Sequence, residues 1–275
     1  MGRVLGAVLL VTVVVGGWTA IYVVAGNPLP RAAKRGNLMV VRVLLALDFS
    51  VDKDDDSGNS ALYLAAANDH SWTAQRLIRE GADSKLALGQ AARKSDQAAA
   101  KMLLKLGADP NGDPIRGTVP LLAAAGSFNP GLTAILLDAG ADVNREAGNE
   151  NALHKLEAAR IAKMDKYSRN RRNNTDPDCI EVFKLLVEHG INLNAPNLSG
   201  QTPLYVAAAA GDSEMVRMLI DAGADLGVKT PEGETAFKAA QRMGYSEICE
   251  MLNREAKRRH AAKSDGDSSD WTPEE

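Results

Sequence analysis

Cysteine is almost missing from this chain: Cys179 and Cys249 are the two in 275 residues, too few for a disulfide-stapled scaffold. Aromatic residues are equally scarce at 4%, which suits close packing of thin, small-residue helices better than a β-sandwich. Neither sign of charge prevails. The 32 basic and 35 acidic residues leave a net charge of −3, so nothing draws the chain to nucleic acid, and no nucleic-acid partner is expected. Catalytic motifs are absent too: there is no nucleophile–base motif, HExxH, Walker loop or CxxC pair. His70, His154, His189 and His260 are scattered without metal-ligand spacing. No catalytic residue, cofactor or metal site is therefore expected, and the chain does not read as an enzyme. What it has is 45% hydrophobic residues, enough for one sizeable core or two small ones.

The amino terminus lacks charge altogether from Val4 to Ala25, "VLGAVLLVTVVVGGWTAIYVVA". As a helix at ~1.5 Å per residue this run spans about 33 Å, enough for a bilayer core. It has no polar stripe, and Trp18 and Tyr22 stand one helical turn apart near its end, as an interfacial belt would place them. A transmembrane anchor over residues 1–26 is the expectation. A cleaved signal peptide, with Val23 and Ala25 before the cut, is the rival reading. The length of the run and its Gly16-Gly17 interruption weigh against it. Arg31, Lys34, Arg35 and Arg42 follow the run while Arg3 precedes it, so the basic bias leans towards a cytoplasmic carboxy-terminal domain of a single-pass inner- or plasma-membrane protein. The same four residues are candidates for meeting anionic lipid headgroups.

The rest of the chain repeats. Equivalent apolar anchors fall at Leu29, Leu62, Leu88, Leu121, Leu153, Leu204 and Phe237, at intervals of 33, 26, 33, 32, 51 and 33 residues. A glycine follows 19 residues after the anchor at Gly81, Gly107, Gly140 and Gly223, and 37 after it at Gly190. The fifth unit thus carries 18 extra residues, and the third follows an interval 7 short, which predicts a truncated connection. Each unit reads as two short helices. In "TPLYVAAAAGDSEMVRMLIDAG" Thr202 caps the first, Pro203 occupies its N1 position, and Gly223 ends the second. "NPL" at Asn27–Leu29 stands where "TPL" stands at Thr202–Leu204, so the first unit begins directly after the uncharged run. One pair cannot bury its own apolar face; a stack of them can.

"GQTPLYVAAAAGDSEMVRMLIDAGADL", "KMLLKLGADPN", "AILLDAGADVN" and "NALHKLEAA…VFKLLVEHGINLN" together resemble the ankyrin repeat family over residues 27–255. The resemblance implies an all-α solenoid of about seven units after the anchor, each a β-hairpin finger followed by two antiparallel helices. It also implies binding of a protein partner through finger tips and the inner helix face. The position after the anchor, often His in the family, is His154 in one unit alone; a structural hydrogen bond is implied there. Elsewhere it is Pro30, Tyr63, Gly89, Leu122, Tyr205 and Lys238, which puts some finger hydrogen bonding in doubt.

Four regions are candidates for more than packing. The acidic loop "DKDDDSGNS", Asp52 to Ser60, has the start of a calcium loop but lacks its bidentate Glu, so it reads as a solvated finger tip or an acidic contact. The insertion 160–177, "RIAKMDKYSRNRRNNTDP", reads as a solvated loop between two helices, with Arg169, Arg171 and Arg172 as candidate partner contacts. By alignment Trp72, Phe128 and Tyr245, with His70, fall at helix–helix turns and are candidate hot-spot aromatics. Residues 256–275 read as a disordered charged tail. The function expected is a membrane-tethered, non-enzymatic protein-binding module. A bacterial immunity-type inhibitor that neutralises a toxic effector at the inner membrane is the alternative, on fold-level analogy alone.

Overall fold

A computed structural model describes residues 9–15, 18–24, 27–116, 118–167 and 176–266. Fourteen helices lie among them, arranged as seven pairs. The chain divides into two compact units, Met1–Ala124 with Gly131–Asp142 and Ala125–Pro130 with Val143–Glu275.

The amino-terminal run differs from expectation. Over its described part it is an antiparallel hairpin of β1 (Leu9–Val15) and β2 (Trp18–Val24), in register from Leu9 opposite Val24 to Val15 opposite Trp18. Valine, threonine and isoleucine make up most of both strands, and β-branched side chains favour extended backbone over helix. Two residues of glycine separate the strands in sequence, a composition typical of two-residue hairpin loops. The expected transmembrane helix is therefore not found: no described helix is long and apolar enough to cross a membrane.

In the first unit the pairs are α1 (Pro28–Lys34) with α2 (Leu38–Ala46), α3 (Ala61–Ala67) with α4 (Ser71–Arg79), and α5 (Ser84–Arg93) with α6 (Gln97–Lys105). The fourth pair, α7 (Pro120–Gly126) and α8 (Pro130–Asp138), is divided between the units at its turn. In the second unit α9 (Ala152–Tyr167) pairs with α10 (Pro177–Glu188), α11 (Pro203–Ala210) with α12 (Ser213–Asp221), and α13 (Ala236–Met243) with α14 (Ser246–Gly266). Six leucine anchors, Leu29, Leu62, Leu88, Leu121, Leu153 and Leu204, are fully buried. Caps begin the helices as the sequence predicts: Asn27 accepts from the Leu29 N–H, Thr202 from that of Tyr205, and Pro28 and Pro203 sit in the first turn.

Seven residues after each anchor stands the residue that stops the first helix. It is Gly36, Asp69, Ser95, Phe128, Gly211 or Gly244, and all six have positive φ. The fifth unit has Arg160 there, and α9 runs on to Tyr167. The first part of the expected loop is thus helix, with no left-handed residue at Arg160 to stop it. At the other end α14 also passes the expected boundary at residue 256 and continues to Gly266.

The third unit lacks a finger. Residues 80–83 alone join α4 to α5, and Asp83 caps the latter. Gln90 on α5 reaches back instead. Its carbonyl accepts from the N–H and Oγ of Ser60 (3.0 and 2.7 Å), and its amide donates to the Gly58 carbonyl (2.9 Å). Neighbouring units are also laced by one repeated bond, in which an Asx side chain accepts the backbone N–H of an Asx one repeat on. It joins Asp52 to Asp83, Asn111 to Asp142, Asn144 to Asn192 and Asn194 to Asp225.

Two glycines separate backbone strain from crowding. A Cβ at Gly223 (φ +95°) meets nothing within 4 Å, whereas one at Gly211 (φ +77°) falls 2.6 Å from Cζ of Tyr245. Gly223→Ala is expected to lose about 1 kcal/mol through conformation alone. Gly211→Ala should lose more, and urea unfolding should show the excess disappearing in a Tyr245→Ala background. An equal loss for both glycines in the parent would remove the proposed contact.

Candidate functional site

The sequence-predicted contacts separate once placed. Trp72, near the start of α4, is 76% exposed. Met39 holds the equivalent place on α2 and is exposed as well. Phe128 is a correction: it is only 6% exposed, in the left-handed turn after α7, with Lys163 Nζ 3.9 Å above its ring. Tyr245 is half-buried because its ring lies on Gly211. His70 covers Gly36 in the same manner and approaches the Lys34 carbonyl at 3.1 Å. Arg169, Arg171 and Arg172 lie outside the described residues. Arg31, Lys34, Arg35 and Arg42 are all exposed on α1, its C-cap and α2.

The acidic loop is occupied by its own backbone. Asp55 accepts from the N–H groups of Ser57 and Asn59, Asp52 from that of Asp83, and Asp54 from the Gln90 amide. Among the described residues no group of three or more His, Cys, Asp or Glu is placed to hold a metal ion. The finger tips present apolar side chains instead: Ile115, before α7, is 95% exposed and Leu198, before α11, 75%.

A buried polar cluster in the second unit escaped the sequence reading. Arg160, expected in a solvated loop, is buried and forms a bidentate pair with Asp212 through Nε and Nη2. Its Nη1 points at Cys179 Sγ, 3.9 Å away. Asp212 also caps α12, accepting the Met215 N–H at 3.0 Å. One turn before Arg160 stands Glu157, 1% exposed, with neither carboxylate oxygen hydrogen-bonded. At the same place after the anchor, five other units have Ala33, Ala66, Ala92, Ala125 and Ala208, all buried. That charged residue against five alanines, with exposed Gln241 the other exception, was the available signal.

His154 lies beside it on α9. Its Nδ1 accepts the Asn151 N–H at 3.3 Å, which assigns the neutral ring's proton to Nε2. The carbonyls of Gln201 and Ala195 approach the ring, yet Nε2 closes no hydrogen bond. Burial pushes the His154 pKa down, against the nearby Glu150 carboxylate, and pushes the Cys179 thiol up. Burial raises Glu157 well above the usual carboxyl range, and the Asp212 carboxylate adds to the rise. A cavity of about 390 Å³ opens beside His154 and Glu157, with Val206 of α11 opposite.

The sign of the pH effect follows. Folded Glu157 keeps a proton that the unfolded chain releases above about pH 4.5. Its contribution to stability is full below that pH and declines as pH rises towards the folded value, by about 1.4 kcal/mol per unit of separation. Glu157→Gln removes the ionisation and keeps the shape. The variant should unfold in urea much like the parent near pH 4, and at a higher urea concentration than the parent near pH 8. A stability difference that does not change with pH would mean that Glu157 ionises freely in the fold.

Comparison with known proteins agrees with the helix-pair architecture. A family model described as ankyrin repeats (3 copies) matches residues 17–87, and one described as ankyrin repeats (many copies) matches residues 186–240. Human SH3 and multiple ankyrin repeat domains protein 2 is 28% identical over 64% of this chain and 11% of its own length. Human ankyrin repeat and SOCS box protein 3 is 27% identical over 66% of this chain and 34% of its own. An ankyrin repeat-containing protein of Treponema pallidum is 33% identical over 39% of each. The chain spans roughly a tenth to two fifths of the length of these relatives. Ankyrin repeats imply a protein–protein interaction module, and proteins built of them are typically non-enzymatic. On the matched segments and the seven helix pairs, the chain carries ankyrin repeats over residues 17–87 and 186–240.

Proposed function

We propose that the protein binds a protein partner through its repeats and performs no chemistry on it. The observation that carries this reading is the pair Met39 and Trp72, large apolar side chains exposed at equivalent places on successive repeats. Desolvating such groups supplies binding energy, and tryptophan is the residue most enriched in interface hot spots. The exposed finger-tip residues Ile115 and Leu198 fit the same use. A photo-crosslinking residue in place of Trp72 should capture one discrete protein in cells, and the same residue in place of exposed Glu188 should not. With the partner identified, Trp72→Ala should weaken its binding at least about tenfold while the unfolding midpoint stays unchanged. Identical adducts from both sites, or none from residue 72, would sink the proposal.

A membrane tether is the second reading, favoured by the total absence of charge from Val4 to Ala25. A two-stranded hairpin leaves its outer backbone groups unpaired, which a lipid core does not tolerate. Insertion therefore requires the run to become helical, and the exposed Arg31, Lys34, Arg35 and Arg42 then lie next to the headgroups. Within this reading the basic bias after the run favours the repeats on the cytoplasmic side. On this reading the chain stays with membranes through alkaline carbonate extraction. Changing the four basic residues to Gln weakens flotation with anionic vesicles, at about 1 kcal/mol per charge, and leaves flotation with neutral vesicles alone. Recovery of the chain in the carbonate supernatant would remove the tether.

A further inference from the structure

Among the described residues, the buried cluster on α9 and α12 is one cation short. Glu157 and Asp212 are two buried carboxyl groups, and Arg160, committed to Asp212 through two of its nitrogens, is the single buried guanidinium beside them. At one border of the cavity Lys155 pairs with Glu150, and the Glu146 carboxylate also acts on His154. His154 is held neutral by burial, and Cys179 is held protonated. Burial and the Asp212 carboxylate therefore both favour the uncharged, protonated form of Glu157.

The cavity is shaped for something larger than a proton. Ala158, Ile161, Ala162 and Val206 give it apolar walls, and Glu157 borders it with both oxygens unpartnered and screened from solvent, so a ligand reaches them only when that side chain turns into the cleft. Burying such a carboxyl without a partner is costly, and in five other units alanine fills the same place. We propose that this cleft takes up an alkylammonium group, with its charged head on Glu157 and its stem along Ala158, Ile161, Ala162 and Val206. A lysine side chain of a polypeptide partner and a free aliphatic amine carry this same chemistry. In the first case the cleft is the specificity pocket of the interaction proposed above, and the proposal rests on that reading. Uptake moves one proton: the Glu157 carboxyl releases it to solvent, and the ammonium of the ligand replaces it as counter-charge.

The test uses the full chain at neutral pH with n-butylammonium as probe and n-butanol as its neutral counterpart. The amine should shift NMR signals of α9 and α11 in a saturable manner, with a dissociation constant on the order of 1 mM for so small a ligand. Butanol and the Glu157→Gln variant should each bind at least about tenfold more weakly. Glu157→Ala, which carries the side chain of five other units and so keeps the fold, should behave like Glu157→Gln. Calorimetry in buffers of different ionisation enthalpy should show proton release on uptake, and affinity should rise with pH. A capped lysine peptide that binds like the amine, while its acetyl-lysine form does not, identifies a polypeptide source; binding of the free amine alone identifies a small amine. Equal binding of butanol, undiminished binding to Glu157→Gln, or no shift at α9 and α11 would overturn the site. Trp72→Ala should leave amine uptake unchanged, so loss of the partner adduct and loss of amine uptake are separate failures.

Discussion

Six of the seven repeats turn on a left-handed residue seven positions beyond an apolar anchor. Seven residues are two helical turns, so the stop falls on the same side of the helix as the anchor. The chain then reverses, and the second helix returns along the first. Six units satisfy this constraint with residues as different as Gly36, Asp69, Ser95, Phe128, Gly211 and Gly244. The turn also sets the contact with the next unit. Where the turn residue is Gly36 or Gly211, the residue eight beyond the next anchor, His70 or Tyr245, lays its ring on it. A side chain at either glycine would meet that ring at under 3 Å. The turn thus ends one helix and seats the neighbouring pair.

Much of this was legible. The buried leucines, the helix caps and the glycines that end second helices are fixed by residue type, and each repeats at a countable interval. The left-handed stop was less legible, because tertiary packing imposes it on Ser95 and Phe128, whose intrinsic preferences oppose it. The amino-terminal run misled for a different reason. A long apolar stretch without periodicity does not distinguish helix from strand, and there its length outweighed its β-branched composition. Arg160 misled because charge usually marks solvent. Its burial follows from a single partner 52 residues away, which no local pattern reveals.

The fifth unit shows what happens when the stop is lost. Arg160 stands where the other six repeats have their left-handed residue, but it is tied to Asp212 and has no positive φ, and α9 continues for about two further turns before the chain leaves it. The second helix then starts only at Pro177, and the extra residues are the consequence. The insertion and the buried arginine are accordingly one event rather than two. Inside the lengthened pair Lys163 binds both the Phe128 ring and Asp176, the N-cap of α10, so the new helical turns are held by charge as well.

The contact between the fifth and sixth units is the same contact in another chemistry. Asp212 lies eight residues beyond Leu204, the place that His70 and Tyr245 hold in their own units. It faces Arg160 as those rings face Gly36 and Gly211. A ring on glycine is an apolar seat that needs no counter-charge. An ion pair there adds little stability over such a seat, since both ions lose their water, but it adds direction: a guanidinium bound in two places fixes α9 against the start of α12. It also leaves the neighbouring carboxyl, Glu157, under the field of Asp212 with no cation of its own among the described residues. A pair of repeats joined in this way carries an unmet electrostatic demand inside an otherwise apolar stack. That demand, rather than the general surface of the repeats, distinguishes this stretch of the chain from an arrangement of stacked helices built for packing alone.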